Sequence, residues 1–273
     1  MLAMTVAVHD WLVWNVNPVL VQLGPLGIRW YGVLFAAGLL AAYEAGWRIF
    51  QRDGMPRAEV DRLFGYVTIG TIVGARLGHT LLYEPGFYLT HPLNILYIWR
   101  GGLASHGGAV GIILAVWWFA RRTGRPMLWL LDRVSLVAPI AAASIRLGNL
   151  FNSEIVGKPS EVPWAFIFER VDQRPRHPAQ LYEALGYVVI GLILWLAYRR
   201  ASLPLQNGRL VGAALVLIFS FRFAIEFLKE PQVAAEAGML FDLGQLLSVP
   251  LVVVGAILML LPRRTVTEPQ PPH

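Results

Sequence analysis

The stretch Arg209–Leu228, RLVGAALVLIFSFRFAIEFL, decides how the chain is read. It is 20 residues long, and a helix of about 20 apolar residues crosses the roughly 30 Å hydrocarbon core of a bilayer. It also carries Arg222 and Glu226, four apart and therefore on one helical face. A charge at the centre of a span costs roughly 2.5–3.5 kcal/mol on insertion scales. Such a pair needs a partner, a polar cavity or a ligand.

Six further apolar runs lie outward from it: Gly27–Trp47, Phe64–Tyr83, Leu93–Ala120, Met127–Phe151, Ala179–Tyr198 and Leu240–Leu261. The third is too long for one span. Arg100-Gly101-Gly102 interrupts it, which leaves Leu103–Ala120 in the membrane and an interfacial piece before it. Composition agrees: 56% of the 273 residues are hydrophobic, 15% are charged and the mean hydropathy is +0.54. Soluble proteins average about 25% charged residues, so a soluble domain and a disordered chain are both disfavoured. The expected fold class is an all-α integral membrane protein with seven transmembrane helices, one polytopic domain over residues 1–264. Residues 1–25 hold no Lys or Arg, unlike a secretory signal, and read as an arm at the surface. Residues 152–178 read as an external loop region. The proline-rich residues 265–273 read as a disordered tail.

Basic residues orient the spans. Arg48, Arg52, Arg57, Arg62, Arg121, Arg122, Arg125, Arg199, Arg200, Arg209, Arg263 and Arg264 fall on one side, twelve in all. Lys158, Arg170, Arg174, Arg176 and Lys229 fall on the other, five in all. The N-terminus is therefore expected outside and the C-terminus in the cytoplasm. The net charge of +6 does not signal nucleic acid, because 21 of the 23 basic residues are arginines scattered between apolar runs. The expected partner is the lipid bilayer. There is no cysteine, hence no disulfide, Cys-ligated metal or thiol nucleophile of its own. No HExxH, Walker A or GxSxG motif is present, and neither a metal nor an organic cofactor is expected.

This orientation gathers the intramembrane polar residues near the outer leaflet. Arg76, Arg146 and Arg222 lie toward the outer ends of their spans, and Arg29 and Tyr31 fall in the first turns of span one. His106 lies one turn inside span three, and His177, Gln180, Tyr182 and Glu183 open span five. Asp132 and Arg133, near the inner end of span four, are the exception. Arg29, Arg100 and Arg133 lie close to interfaces and read as snorkelling or structural pairs. Trp99, Trp117, Trp118 and Trp129 read as interface belt. Arg146 is deeper, with Asn149 and Asn152 at spacing three and Glu154 beyond. Two buried guanidiniums facing the outer leaflet suit a phosphate, which their planar fork grips and which cannot deprotonate them. The phosphate at hand is that of a phospholipid headgroup. His106, beside Gly107 and Gly108, is either a base near neutral pH or a bond to a neighbouring helix.

These residues sit in seven ordered segments: Gly27-Ile-Arg-Trp-Tyr-Gly32; Gly74-Ala-Arg-Leu-Gly78; Gly101-Gly-Leu-Ala-Ser-His-Gly-Gly108; Arg146-Leu-Gly-Asn149 with Asn152, Glu154 and Gly157; His177-Pro-Ala-Gln-Leu-Tyr-Glu183; Arg222-Phe-Ala-Ile-Glu-Phe227; and Gly244-Gln-Leu-Leu-Ser248. Together, over about Asn17–Leu261, the chain resembles the bacterial prolipoprotein diacylglyceryl transferases. It departs from their usual pattern at Ile145, where Gly is common, and at Leu150, where Phe is common.

The resemblance implies transfer of a diacylglyceryl group from phosphatidylglycerol to the lipobox cysteine of a preprolipoprotein signal peptide. A thioether forms and glycerol phosphate leaves. It further implies a multi-pass protein of the bacterial cytoplasmic (inner) membrane with its site toward the outer leaflet. His106, Arg146 and Arg222 would be catalytic. Tyr31, Arg76, Asn149, Asn152, Glu154, Gly157, His177, Tyr182 and Glu226 would bind substrate. The competing reading is a phospholipid or anion transporter that holds phosphate with the same arginines. It would carry polar residues through to the cytoplasmic face, whereas spans five and seven are apolar below their outer ends. Reporter fusions after Thr123 and after Gln206 are expected to report cytoplasm, and one after Gly86 the outside. A reversal of any of the three overturns the orientation.

Overall fold

The structure, a computed structural model, describes residues 10–82, 84–97, 102, 104–200, 208–231 and 241–261. Trp99, Arg100 and residues 265–273 lie outside the described residues, as does the side chain of His106. Among the described residues seven helices reach 18 residues or more: α1 (Trp30–Arg52), α2 (Arg57–Leu82), α4 (Ser105–Thr123), α5 (Met127–Asn152), α6 (Ala179–Arg200), α7 (Arg209–Glu226) and α8 (Leu243–Leu260). A short α3 (Pro85–Thr90) and a 3-10 turn (Pro92–Leu96) precede α4, where the interfacial piece was expected.

Three helices, α1, α5 and α6, are long and apolar enough to cross a membrane by length and composition, and Gly244–Leu260 in α8 is a shorter apolar helix. The surface of α6 is inverted relative to a soluble helix. Leu185, Val188, Val189, Leu192 and Ile193 are exposed, while Gln180, Glu183, Tyr187, Ile190 and Leu194 are buried. An apolar outside with carboxylate and amide inside suits a hydrocarbon solvent, where backbone groups are satisfied within each helix. The protein is a helical membrane protein.

The described residues are mainly helical, as expected for an all-α protein, and add five short strands: β1 (Leu12–Trp14), β2 (Val19–Leu23), β3 (Leu26–Arg29), β4 (Phe166–Phe168) and β5 (Pro175–Arg176). β1 and β2 lie within residues 1–25, β3 follows them, and β4 and β5 lie within residues 152–178. β2 and β3 form a hairpin in which Gly24 supplies the left-handed residue of the turn, at φ 58°. Arg29 therefore ends a strand and pairs with Val19 instead of opening span one. β1 pairs in parallel with β4, and β4 antiparallel with β5. The arm is held down by indoles: Trp14 Nε1 donates to the Leu150 carbonyl at 3.0 Å, and Trp11 Nε1 to that of Val162 at 3.2 Å. Leu150, one of the departures from the family pattern, packs here with Val156 and Phe168 against Trp14.

The chain divides into two compact units, and α1 and α5 each contribute to both. One comprises residues 43–134 and 206–208. Its core joins Phe50, Met55, Val60, Leu63, Val116, Phe119 and Leu130. Arg133, expected as a structural pair, is one: it meets Asp53 at 2.7 Å over the Trp129 ring. Asp132 accepts from the Gly208 amide at 2.8 Å. α2 and α4 touch backbone to backbone through Gly70, Gly74 and Gly78 against Gly107 and Gly111, small residues that let helices approach closely where there is no water to expel.

The second unit comprises residues 1–42, 135–205 and 209–273. Here Gly212 meets Gly255 between α7 and α8, and Gly186 accepts the ring of Phe221 between α6 and α7.

A Cβ at Gly111 would drive into the Gly70 carbonyl, whereas one at Gly65, also on α2, would meet nothing within 4 Å. Gly111→Ala is therefore expected to destabilise by about 1–3 kcal/mol. Gly65→Ala should stabilise by roughly 0.5–1 kcal/mol, through helix propensity alone. Thermal unfolding of the two variants in detergent checks the contrast.

Candidate active site

The second unit concentrates charge at one place. On α5, Arg146 and Asn149 are one turn apart, and the Asn149 Oδ1 accepts from Arg146 Nη1 at 3.3 Å. Beyond the helix end, Ser153 and Ile155 both take φ 56°. That is a conformation a β-branched residue adopts only under strain, and such strain gathers at functional sites. The two left-handed residues flank Glu154, whose carboxylate accepts from Asn149 Nδ2 at 3.1 Å and from Asn152 Nδ2 at 3.2 Å. The Glu154 carbonyl accepts from Gln180 Nε2 at 2.6 Å. Tyr31 packs its ring on Gly148 and feels the charges of Glu154 and Arg146.

Four side chains extend this group into a line of alternating charge. Arg146 Nε lies 3.2 Å from one oxygen of Glu183, and the other oxygen lies 3.9 Å from Lys229 Nζ. Lys229 pairs closely with Glu226, and Glu226 lies 3.8 Å from Arg222 Nη2. Glu183 is 0% exposed and Lys229 5%. Tyr187 of α6 adjoins Arg146. The line holds three cations and two carboxylates, and with Glu154 beside it the site holds three of each. Within it the Arg222 guanidinium, 3.8 Å from its carboxylate, keeps donors with which to hold an anion.

The loop of residues 153–178 fixes the lysine. Gly157 bridges to Lys229, its amide donates to the His177 carbonyl at 3.0 Å, and the Lys158 amide donates to Leu228 at 2.8 Å. A Cβ at Gly157 would collide with the His177 and Leu228 carbonyls, so only glycine fits between these two segments. His177 Nδ1 lies 3.2 Å from the Tyr182 hydroxyl, which accepts from Trp164 Nε1 at 2.7 Å. Burial holds His177 below the usual imidazole value.

Of the residues singled out from sequence, Tyr31, Arg146, Asn149, Asn152, Glu154, Arg222 and Glu226 come together, with Gly157, His177 and Tyr182 in the adjoining loop and helix start. Arg76 belongs to the other unit. Its guanidinium donates to the carbonyls of Ile95 at 2.8 Å, Asn94 at 2.6 Å and Gly102 at 3.1 Å, beneath the Tyr88 ring. There it clamps the segment before α4. His106 occupies the first turn of α4. Sequence reasoning missed the weight of three residues. Lys229 was counted as an external loop charge although it stands three after Glu226. Glu183 and Tyr187 were left out of the site although both interrupt an apolar helix.

A helical membrane protein with a buried site of arginines, a lysine and glutamates is thus the class that fold and geometry define. The family model for prolipoprotein diacylglyceryl transferase matches residues 18–261. A phosphatidylglycerol–prolipoprotein diacylglyceryl transferase of Tolumonas auensis is 50% identical over 251 residues, 92% of this chain and 97% of that protein. Proteins of the same name from Chloroherpeton thalassium and Bacteroides fragilis are 46% and 43% identical, over 91% and 90% of this chain and 93% of each of theirs. The chain belongs to the prolipoprotein diacylglyceryl transferase family.

Arg176 ties the loop together through Asp172, Glu230 at 2.6 Å and the Gly157 carbonyl at 3.1 Å. Its hydrogen bonds hold the Asp172 carboxyl below the ordinary 3.8. A depressed carboxyl pKa contributes stability above the unfolded value, lost as pH falls through the folded one. Asp172→Asn should therefore speed hydrogen exchange at the Gly157 and His177 amides at pH 7. The parent should loosen in the same way only below about pH 3.8. Equal exchange at pH 7 would mean that the Glu230 pair alone suffices.

Proposed function

We propose that this protein transfers the diacylglyceryl group of phosphatidylglycerol to the lipobox cysteine of a preprolipoprotein signal peptide. The observation that carries the proposal is the line of alternating charge containing Arg146 and Arg222, in a membrane protein of this family. All seven long helices cross the bacterial cytoplasmic membrane in one polytopic domain over residues 1–264, with the N-terminus outside and the site toward the outer leaflet. The line lies at the outer ends of α5, α6 and α7 in that topology, level with lipid headgroups.

In the reaction the cysteine sulfur attacks the glyceryl carbon that bears the phosphate. A C–S bond forms, the C–O bond to phosphate breaks, and its electron pair leaves on the phosphate oxygen of glycerol phosphate. Arg146 and Arg222 neutralise the charge that develops on this leaving group. Glu154 and the two asparagines orient Arg146, and Tyr31, His177 and Tyr182 line the approach. Arg76 acts through the segment it clamps. The thiol has a reference pKa of about 8.5 and is mostly protonated at neutral pH. His106 accepts its proton during attack. The thiol belongs to the substrate, which suits a chain without cysteine. The names of the relatives favour this reading over a phosphate-binding transporter.

Incubation of purified protein with phosphatidylglycerol and a lipobox peptide should give the thioether, read by mass; no product refutes the proposal. Arg146→Lys keeps the charge but loses the fork, and is expected to lose most activity while remaining folded. Near-normal turnover would make Arg146 structural. Glu226→Gln should cost less activity than Arg222→Ala. His106→Gln should slow the chemical step by about 10²–10⁴, leave lipid binding little changed, and recover in part as rising pH supplies thiolate. An unchanged pH profile would remove His106 from the role of base.

A further inference from the structure

We propose that Lys229 is the positioning residue of this site: its ammonium draws Glu226 away from Arg222, so that the Arg222 fork stays open to the lipid phosphate. The inference rests on the transferase reading of the same site and adds to it a residue whose role the family assignment does not supply.

Three observations carry it. First, Glu226 has two cations to choose from and favours one. It pairs closely with Lys229, while Arg222 Nη2 lies 3.8 Å from its other oxygen, the one charged contact Arg222 makes among the described residues. Second, Lys229 is held by the backbone and not by its own side chain alone. The Gly157 bridge, the Lys158 amide on the Leu228 carbonyl and the Glu230 amide on the Val156 carbonyl at 3.2 Å fix residues 228–230. A flexible four-carbon stem thus starts from a rigid base. Third, Lys229 is not placed as a phosphate ligand. It is 5% exposed, and its ammonium lies between the carboxylates of Glu226 and Glu183.

The electrostatics follow from counting. With Lys229 present the two carboxylates share three cations. Without it two carboxylates face two arginines, and each arginine can close on its own glutamate: Arg146 on Glu183, Arg222 on Glu226. The lipid phosphate would then compete with a carboxylate for the same donors. A charge-assisted hydrogen bond is worth about 1.5–3 kcal/mol, so losing one to that competition weakens phosphate binding about tenfold or more.

A mutant cycle on the full-length protein in lipid nanodiscs tests this, with steady-state KM and kcat for phosphatidylglycerol and a fixed lipobox peptide as readouts. Lys229→Met should raise KM about tenfold and leave kcat within about threefold. Lys229→Arg keeps the charge and should stay near the parent. In a Glu226→Gln background the competitor is gone, and Lys229→Met should change KM by less than about threefold. The paired Lys229→Met/Glu226→Gln variant leaves no unmatched carboxylate at residue 226, so it keeps the test open if Lys229→Met alone fails to fold. In that case, a KM for the pair matching Glu226→Gln alone supports the proposal. An equal rise in KM in both backgrounds would make Lys229 a direct phosphate ligand and overturn it. So would an unchanged KM in Lys229→Met. A parent that forms no thioether defeats the transferase reading instead, so the two failures are distinguishable.

Discussion

An arginine side chain in a hydrocarbon layer needs a counter-charge, and in this protein the counter-charges need cations of their own. The outcome is the line Arg146, Glu183, Lys229, Glu226, Arg222, with successive contacts no longer than 3.9 Å. Its members come from α5, α6, α7 and the turn after α7, so the line can exist only when those elements are in place together. Burying one ion without its partner costs several kcal/mol, and breaking a buried pair costs about 3–5 kcal/mol. The ion pairing that builds the site is therefore the same pairing that ties these elements to one another. The elements around it serve that end. Gly157 brings the loop strand against residues 228–230, Gly186 lets α6 meet Phe221, and Gly244 gives Glu226 room against the start of α8.

Much of this was legible in the sequence, and the reason is physical. Apolar runs of about 20 residues have few alternatives to a spanning helix, and the seven long helices lie where those runs do. Arg146, Asn149, Glu154, Arg222 and Glu226 stood out because a polar group in an apolar run carries a cost that something must repay. The strands were not legible. β1 meets β4 across more than 150 residues of chain (Leu12 with Phe166), and three-residue strands leave no period to read. Lys229 was hidden by its position just past a span, where a lysine is ordinarily solvated. Only the fold of residues 153–178 over it turns a loop charge into a buried one.

Arg76 and Arg222 show why residue type and depth do not by themselves assign a role. Both were expected near the outer ends of apolar helices, and each is an arginine with polar company. Arg76 spends its guanidinium on three backbone carbonyls, those of Ile95, Asn94 and Gly102, before α4. Such an arginine is a splint, with its donors committed in the resting protein. Arg222 makes no hydrogen bond among the described residues and holds its carboxylate at 3.8 Å. It has the uncommitted donors that binding an anion requires. What separates the two is what the neighbouring carbonyls and cations leave over. For Arg222 the neighbour that matters is Lys229, which meets the demand of Glu226 before the arginine does. A site that must release a charged product gains from this arrangement. In the reaction proposed above, the glutamates are already paired when glycerol phosphate departs, and Arg222 returns to a state that a second lipid can enter without first displacing a carboxylate.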